Sequence, residues 1–155
     1  MDEPVTKSSA AAHEMIAFMV GSQEFCVDVM SVREIRGLTP VTPIAQAPSF
    51  VRGMINLRGK VLPIIDLAAR LGFSTTEQTA RHAFLVVEIG GQIVGLLVEG
   101  VSDIFAVDET LVQRVPSAAS TAQAFVSGIV TMDGRLISVI ALDAILPSGM
   151  SRLAA

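Results

Sequence analysis

The segment MINLRGKVLPIIDL, residues 54–67, sets Asn56, Arg58, Gly59, Pro63 and Asp66 into an otherwise apolar run. Arg58 carries a permanent cation with a fork of donors suited to a carboxylate or a helix C-terminus. Asp66 is an acceptor of the kind that caps a helix. Catalysis would need more. The other candidates are His13, His82, Cys26, Asp28 and Asp143. Neither histidine has a second His or a Cys at metal-ligand spacing. Cys26 has no base within sequence reach and sits in an apolar strand pattern, so it reads as a small buried hydrophobe. Asp28, Asp66 and Asp143 each follow or end an apolar run, where aspartate caps a helix or closes a turn. No glycine-rich phosphate loop with its lysine is present, and the absence of Trp and Tyr removes common stacking surfaces for sugars and bases. These patterns predict no enzyme, no metal and no cofactor.

The elements that must position these residues are short strands. The 155 residues are 51% hydrophobic and 17% charged, a composition that folds around a core of its own. One cysteine excludes an internal disulfide. The net charge of −4 gives no support to nucleic-acid binding. No apolar run is long enough to span a membrane, and the N-terminus lacks the pattern of a secretory signal. MIAFMV leads through Gly21-Ser22 to EFCVDV, AFLVVEI through Gly90-Gly91 to IVGLLV, and GIVTM through Asp133-Gly134 to RLISVIAL, which are hairpin signals. LAARLG after Asp66 reads as a short helix with Asp66 as cap and Gly72 as stop. Residues 1–13 and 149–155 read as mobile tails.

An internal repeat organises the rest. At a shift of 69, Gly21, Gln23, Val29, Val32 and Ile35 fall on Gly90, Gln92, Val98, Val101 and Ile104. At a shift of 75, Phe50, Val51, Gly53, Gly59, Ile65 and Leu67 fall on Phe125, Val126, Gly128, Gly134, Ile140 and Leu142. The expected fold is all-β: two similar small barrels side by side, one over about 14–78 and the other over about 79–148. Barrels of that size fill themselves with side chains.

Function is expected where the copies differ. Asn56, Arg58, Pro63 and Asp66 stand where the second copy has Thr131, Asp133, Ser138 and Ala141. Residues 33–60 hold five cations and one acid, a net of +4, whereas 99–109 hold four acids and no cation, a net of −4. Such asymmetry suits a protein-interaction module, because opposite charges orient a partner. A small-ligand-binding barrel is the alternative from another class. Gly59 reads as a turn residue, Asn56 as its brace and Pro63 as an exposed or irregular strand position. Arg58 has no structural need and is the leading partner contact.

VDVMSVREIRG (27–37), VTPIAQAPSFVRGMINLRGKVLPIIDLAARLG (41–72) and IVGLLVEGVSDI (93–104) resemble the CheW family, the adaptors of bacterial chemotaxis. The resemblance runs over about residues 14–147, and its most specific part is the G-x-x-N-L-R-G-x-x-x-P-x-x-D-L pattern from Gly53 to Leu67. It implies two SH3-like five-stranded barrels and no catalytic activity. It implies a cytoplasmic scaffold, recruited to membrane receptor arrays without inserting into the membrane. The implied partners are the regulatory domain of the histidine kinase CheA and the cytoplasmic tip of a chemoreceptor, a methyl-accepting chemotaxis protein. Glu34 and Arg58 fall on positions of partner coupling, and Arg36 is a candidate contact beside them. Val29, Val32, Val101 and Ile104 fall where the family lines its receptor groove, although barrel core is an equal reading of their repeat-matched positions. A scaffold of a two-component pathway other than chemotaxis fits the same resemblance.

Overall fold

The computed structural model describes residues 12–73, 81–108, 110, 112–114 and 125–146. Four hairpins form its frame. β1 (Ala12–Val20) turns into β2 (Gln23–Asp28) at Gly21-Ser22, and β4 (Val51–Leu57) into β5 (Lys60–Asp66) at Arg58-Gly59. β6 (Ala83–Ile89) turns into β7 (Gln92–Val98) at Gly90-Gly91, and β10 (Val126–Met132) into β11 (Arg135–Ile140) at Asp133-Gly134. Both residues of every turn have positive φ, between 52° and 85°. This is the type I′ geometry, whose twist matches that of the strands it joins. Three of the turns carry the predicted signals. The fourth, Arg58-Gly59, shows that Gly59 and Gly134 occupy equivalent turns.

Two sheets result. One has the order β3-β6-β7-β5-β4, with β3 spanning Val32–Gly37. The other has the order β8-β1-β2-β11-β10-β9, with β8 spanning Gly100–Asp108 and β9 Gln113–Arg114. β9 pairs with β10 at Ile129, and in the first sheet the matched residue Met54 is bridged by Thr42. Each sheet is therefore a barrel of five main strands, closed by the chain that follows β3 in one and β8 in the other, where the short β9 adds a sixth strand. Gly53 permits this closure, because a Cβ there would lie 2.1 Å from the Thr42 carbonyl oxygen.

The barrels do not divide the chain near residue 78. Each is completed by the other copy's first hairpin. β1–β2 joins β8, β10 and β11, and β6–β7 joins β3, β4 and β5. The chain crosses between sheets through the 3₁₀ turn Val29–Ser31 and again at Gly100. Parallel pairs seal both joins, Ile64 with Gly95 and Ser138 with Phe25. The N-terminal tail expected over residues 1–13 does not reach His13, since Ala12 and His13 extend β1 along β8. Residues 1–11 and 147–155 lie outside the described residues.

The exchange creates one large core between the sheets. Phe18, Phe25 and Val27 pack there with Leu85, Leu96 and Val98, and a smaller cluster fills each barrel. Cys26 is buried in one of these as expected, and burial pushes its thiol up to about 12. Asp66 caps α1 (Leu67–Leu71) by accepting from Ala69 N, and Gly72 ends it at φ 89°. Arg70 of α1 joins the halves. Its guanidinium lies 4.6 Å from the ring centroids of both Phe50 and Phe125, a repeat-matched pair. Arg70 Nε donates to Ile145 O at 2.6 Å and Nη2 to Ala144 O at 3.3 Å, capping α2 (Leu142–Ile145). Arg70→Met removes both donors and the cation–π pairing. We expect a loss of roughly 2 kcal/mol, seen in calorimetry as a melting temperature lower by about 4–8 °C.

Candidate functional site

Arg58 occupies the first position of its I′ turn at φ 55°. That position favours Asn, Asp or Gly, and an arginine there carries backbone strain. Asn56 Oδ1 accepts from Gly59 N at 2.9 Å, which braces the turn as expected. The strained arginine reaches β3, where Nη2 donates to Glu34 Oε1 at 2.6 Å, and Arg36 Nη1 donates to Glu34 Oε2 at 3.3 Å. Three predicted site residues thus form one network. The hydrogen bond from Arg58 is the main cause that holds the Glu34 carboxyl below the usual glutamate range. The same bond raises the Arg58 guanidinium. Around it lies a cleft of about 460 Å³ lined by Arg33, Lys60 and Glu88 over an apolar floor of Leu62, Val86 and Ile93.

The second barrel carries a related device. Asp103, the repeat mate of Glu34, lies 3.6 Å from Arg135 Nη2, and Arg135 Nη1 donates to Glu24 Oε2 at 3.2 Å. Arg135 is the repeat mate of Lys60, so the cation has moved from the turn into the strand beside it.

The charge excess of 33–60 is smaller in space than in sequence. Arg33 pairs with Glu88, Arg36 and Arg58 with Glu34, and Arg52 with Asp66. Hairpin exchange supplies one of these acids, carrying Glu88 to β3 from 55 residues away, and Asp66 comes from β5 of the same hairpin as Arg52. Pro63 is buried rather than exposed. It sits one residue before the parallel β5–β7 pairing begins at Ile64, where a missing N–H breaks no bond of that ladder. Asp66 does more than cap, since Oδ2 also accepts from Arg52 Nε at 3.1 Å.

The apolar candidates divide. Val29, Val32 and Val101 are half-buried against the shared core, whereas Ile104 is 54% exposed. Met30, between Val29 and Val32, was not among the predicted residues and is 86% exposed. It projects from the 3₁₀ turn because Asp28 Oδ1 accepts from its backbone N at 2.8 Å. Among the described residues, the remaining exposed large hydrophobics are Ile35, Val61 and Leu136. Ile35 matches Ile104, and Val61 matches Leu136, so the copies expose apolar side chains at the same places. Among the described residues, no group of three or more His, Cys, Asp or Glu is placed to hold a metal ion.

Comparison with known proteins adds four findings. The CheW-like domain family matches residues 14–150. The chain is 50% identical over 136 residues to the chemotaxis protein CheW of Rhizobium meliloti, covering 87% of this chain and 88% of that one. It is 47% identical over 146 residues to the probable chemotaxis protein CheW of Rhizobium etli, covering 94% of each. Among solved structures it superposes on the scaffolding protein TtCheW of Thermoanaerobacter tengcongensis with a TM-score of 0.83 and 31% identity, over 88% of this chain and 94% of that one.

Two outcomes follow from the geometry of Arg58. In Arg58→Ala, the Glu34 carboxyl should titrate closer to the ordinary glutamate value, with Arg36 keeping part of the shift. Carbon-13 NMR across the acid range reads this directly. Because the folded value is lowered, the ion pair is intact above it and is released as pH falls through it. In Arg58→Asn the turn strain is relieved, and the melting temperature should rise by roughly 2–4 °C.

Proposed function

The chain belongs to the CheW-like family, and we propose that it is a non-catalytic chemotaxis scaffold that couples chemoreceptor tips to the regulatory domain of the histidine kinase CheA. The two relatives compared above carry chemotaxis names, and a solved structure that it resembles is described as a scaffolding protein. The observation that carries the reading is the Arg58 turn. A barrel needs a hairpin there, and Asp133-Gly134 supplies the same hairpin without strain in the other copy. An arginine held against its turn preference, beside an exposed cleft, is a contact kept for a partner. Glu34 orients it and Arg36 shares the acid.

In this reading Val29, Val32, Val101 and Ile104 border the groove that takes the receptor's helical hairpin, and Met30 adds an adaptable apolar contact to it. The partners are proteins, with no role for nucleic acid or nucleotide. The setting is the cytoplasm beside membrane receptor arrays. No helix among the described residues is long and apolar enough to cross a membrane.

The test is a calorimetric titration of each variant against a receptor fragment and against the kinase regulatory domain, with a melting curve for each protein. Arg58→Ala should keep its melting temperature within about 2 °C and lose about thirtyfold in affinity for at least one partner. Arg58→Asp should lose more, and Asp133→Ala much less. Normal binding of both partners by Arg58→Ala contradicts the contact. A drop of many degrees makes Arg58 structural instead.

A further inference from the structure

The match between the halves extends to a place where one is closed and the other open. His13, Asp28 and Ser127 correspond to His82, Leu97 and Arg52, and Ala141 corresponds to Asp66. The strand registers fix this. Met15 pairs with Asp28 as Phe84 pairs with Leu97, and Val126 pairs with Ile140 as Val51 pairs with Ile65. Ala141 N donates to Phe125 O as Asp66 N donates to Phe50 O.

In the barrel holding β6–β7 the place is plugged. Arg52 donates to Asp66, His82 and Leu97 are buried, and a cavity of about 10 Å³ remains between them. In the other barrel a serine replaces the arginine, an alanine replaces its carboxylate, and Asp28 replaces the leucine. What remains is a cavity of about 460 Å³, where His13, Asp28, Ser31 and Ser127 stand above Met15 and Val139. The interior of this barrel is filled by Ala17, Cys26, Val130 and Ile137, and the open place is a cleft at its surface. Asp28 is held in place, since Oδ1 accepts from Met30 N at 2.8 Å. Its Oδ2 lies 3.5 Å from His13 Nδ1, and both side chains are near 40% exposed.

The closed half shows which chemistry this place takes: a guanidinium on a carboxylate, beside Leu97 and Val98. We propose that the open cavity is a binding site for an arginine side chain presented by a partner polypeptide, with Asp28 serving that arginine as Asp66 serves Arg52. A carboxylate positioned by a backbone donor, beside hydroxyls and over an apolar floor, orients a guanidinium while its stem covers Met15 and Val139. The cleft is open at its mouth, so an arginine side chain can enter it while the polypeptide that carries it stays outside. The site lies in the barrel opposite the Glu34–Arg58 network and does not depend on the role given to that network.

The experiment titrates acetyl-Ala-Arg-Ala-amide into the full chain and follows backbone amide shifts by NMR. The same peptide with norleucine in place of arginine, and ethylguanidinium, serve as controls. The arginine peptide should give saturable shifts centred on His13, Asp28 and Ser127, with the norleucine peptide at least about tenfold weaker. Asp28→Asn keeps the backbone bond to Met30 because asparagine caps equally well, yet it should weaken the arginine peptide at least about tenfold. Ser127→Arg supplies the plug from within and should abolish binding. Absence of saturable shifts, equal binding of the norleucine peptide, or unchanged affinity in Asp28→Asn each overturns the proposal. Binding of ethylguanidinium without the arginine peptide overturns the polypeptide as occupant. If Ser127→Arg fails to fold, Asp28→Asn decides alone.

Discussion

The exchange of first hairpins is the constraint from which the rest of the structure follows. Neither copy can complete a barrel from its own strands, because β2 runs into β3 in the opposite sheet and β7 runs into β8 in the same manner. The apolar faces of β1–β2 and β6–β7 therefore meet in one core that belongs to both halves. Burial of apolar surface is the dominant favourable term in folding, and here it is spent across the seam rather than inside two independent units. The seam is a packed interior, so a partner seated along it reads a fixed relation between the barrels.

A charge sits at that seam and helps to define it. Arg70 stands between Phe50 and Phe125, and its donors satisfy the last carbonyls of α2 in the other half. Burial lowers its pKa, a cost offset by two carbonyl acceptors and two aromatic faces. Around it the pseudo-symmetry is close, down to the matched bonds Asp66 N to Phe50 O and Ala141 N to Phe125 O. The differences concentrate outside the shared core. An arginine stands in one turn and an aspartate in the other, and one barrel end is plugged while the other is open. A duplicated scaffold can diverge at such places without disturbing the core that both copies need.

Much of this was legible in the residues. Asp133-Gly134 and Gly90-Gly91 announce their hairpins, Asp66 and Gly72 bound their helix, and matched glycines and apolar positions reveal the repeat. The exchange was not legible. A repeat gives the same alignment whether each hairpin completes its own barrel or its neighbour's. The Arg58-Gly59 turn was half visible, because Gly59 matched Gly134 while arginine is not an I′ signal. Pro63 misled, since burial and register rather than exposure make room for its missing N–H. The charge excess of 33–60 ignored Glu88, which only the exchanged fold delivers. Glu34 and Arg58 were legible as candidates through family resemblance, and Arg36 through the cluster of cations over 33–60, but their mutual bonding through Glu34 was not. Met30 could be found only once the 3₁₀ turn that displays it was known.

In the proposed function, one molecule of this chain holds a receptor and a kinase at the same time. Sedimentation velocity on a mixture of the chain, a soluble receptor fragment and the isolated kinase regulatory domain tests it most directly. A single faster boundary containing all three is expected, with no boundary joining receptor to kinase when the chain is omitted. Competition between the two partners for the chain, or their association without it, would contradict the claim.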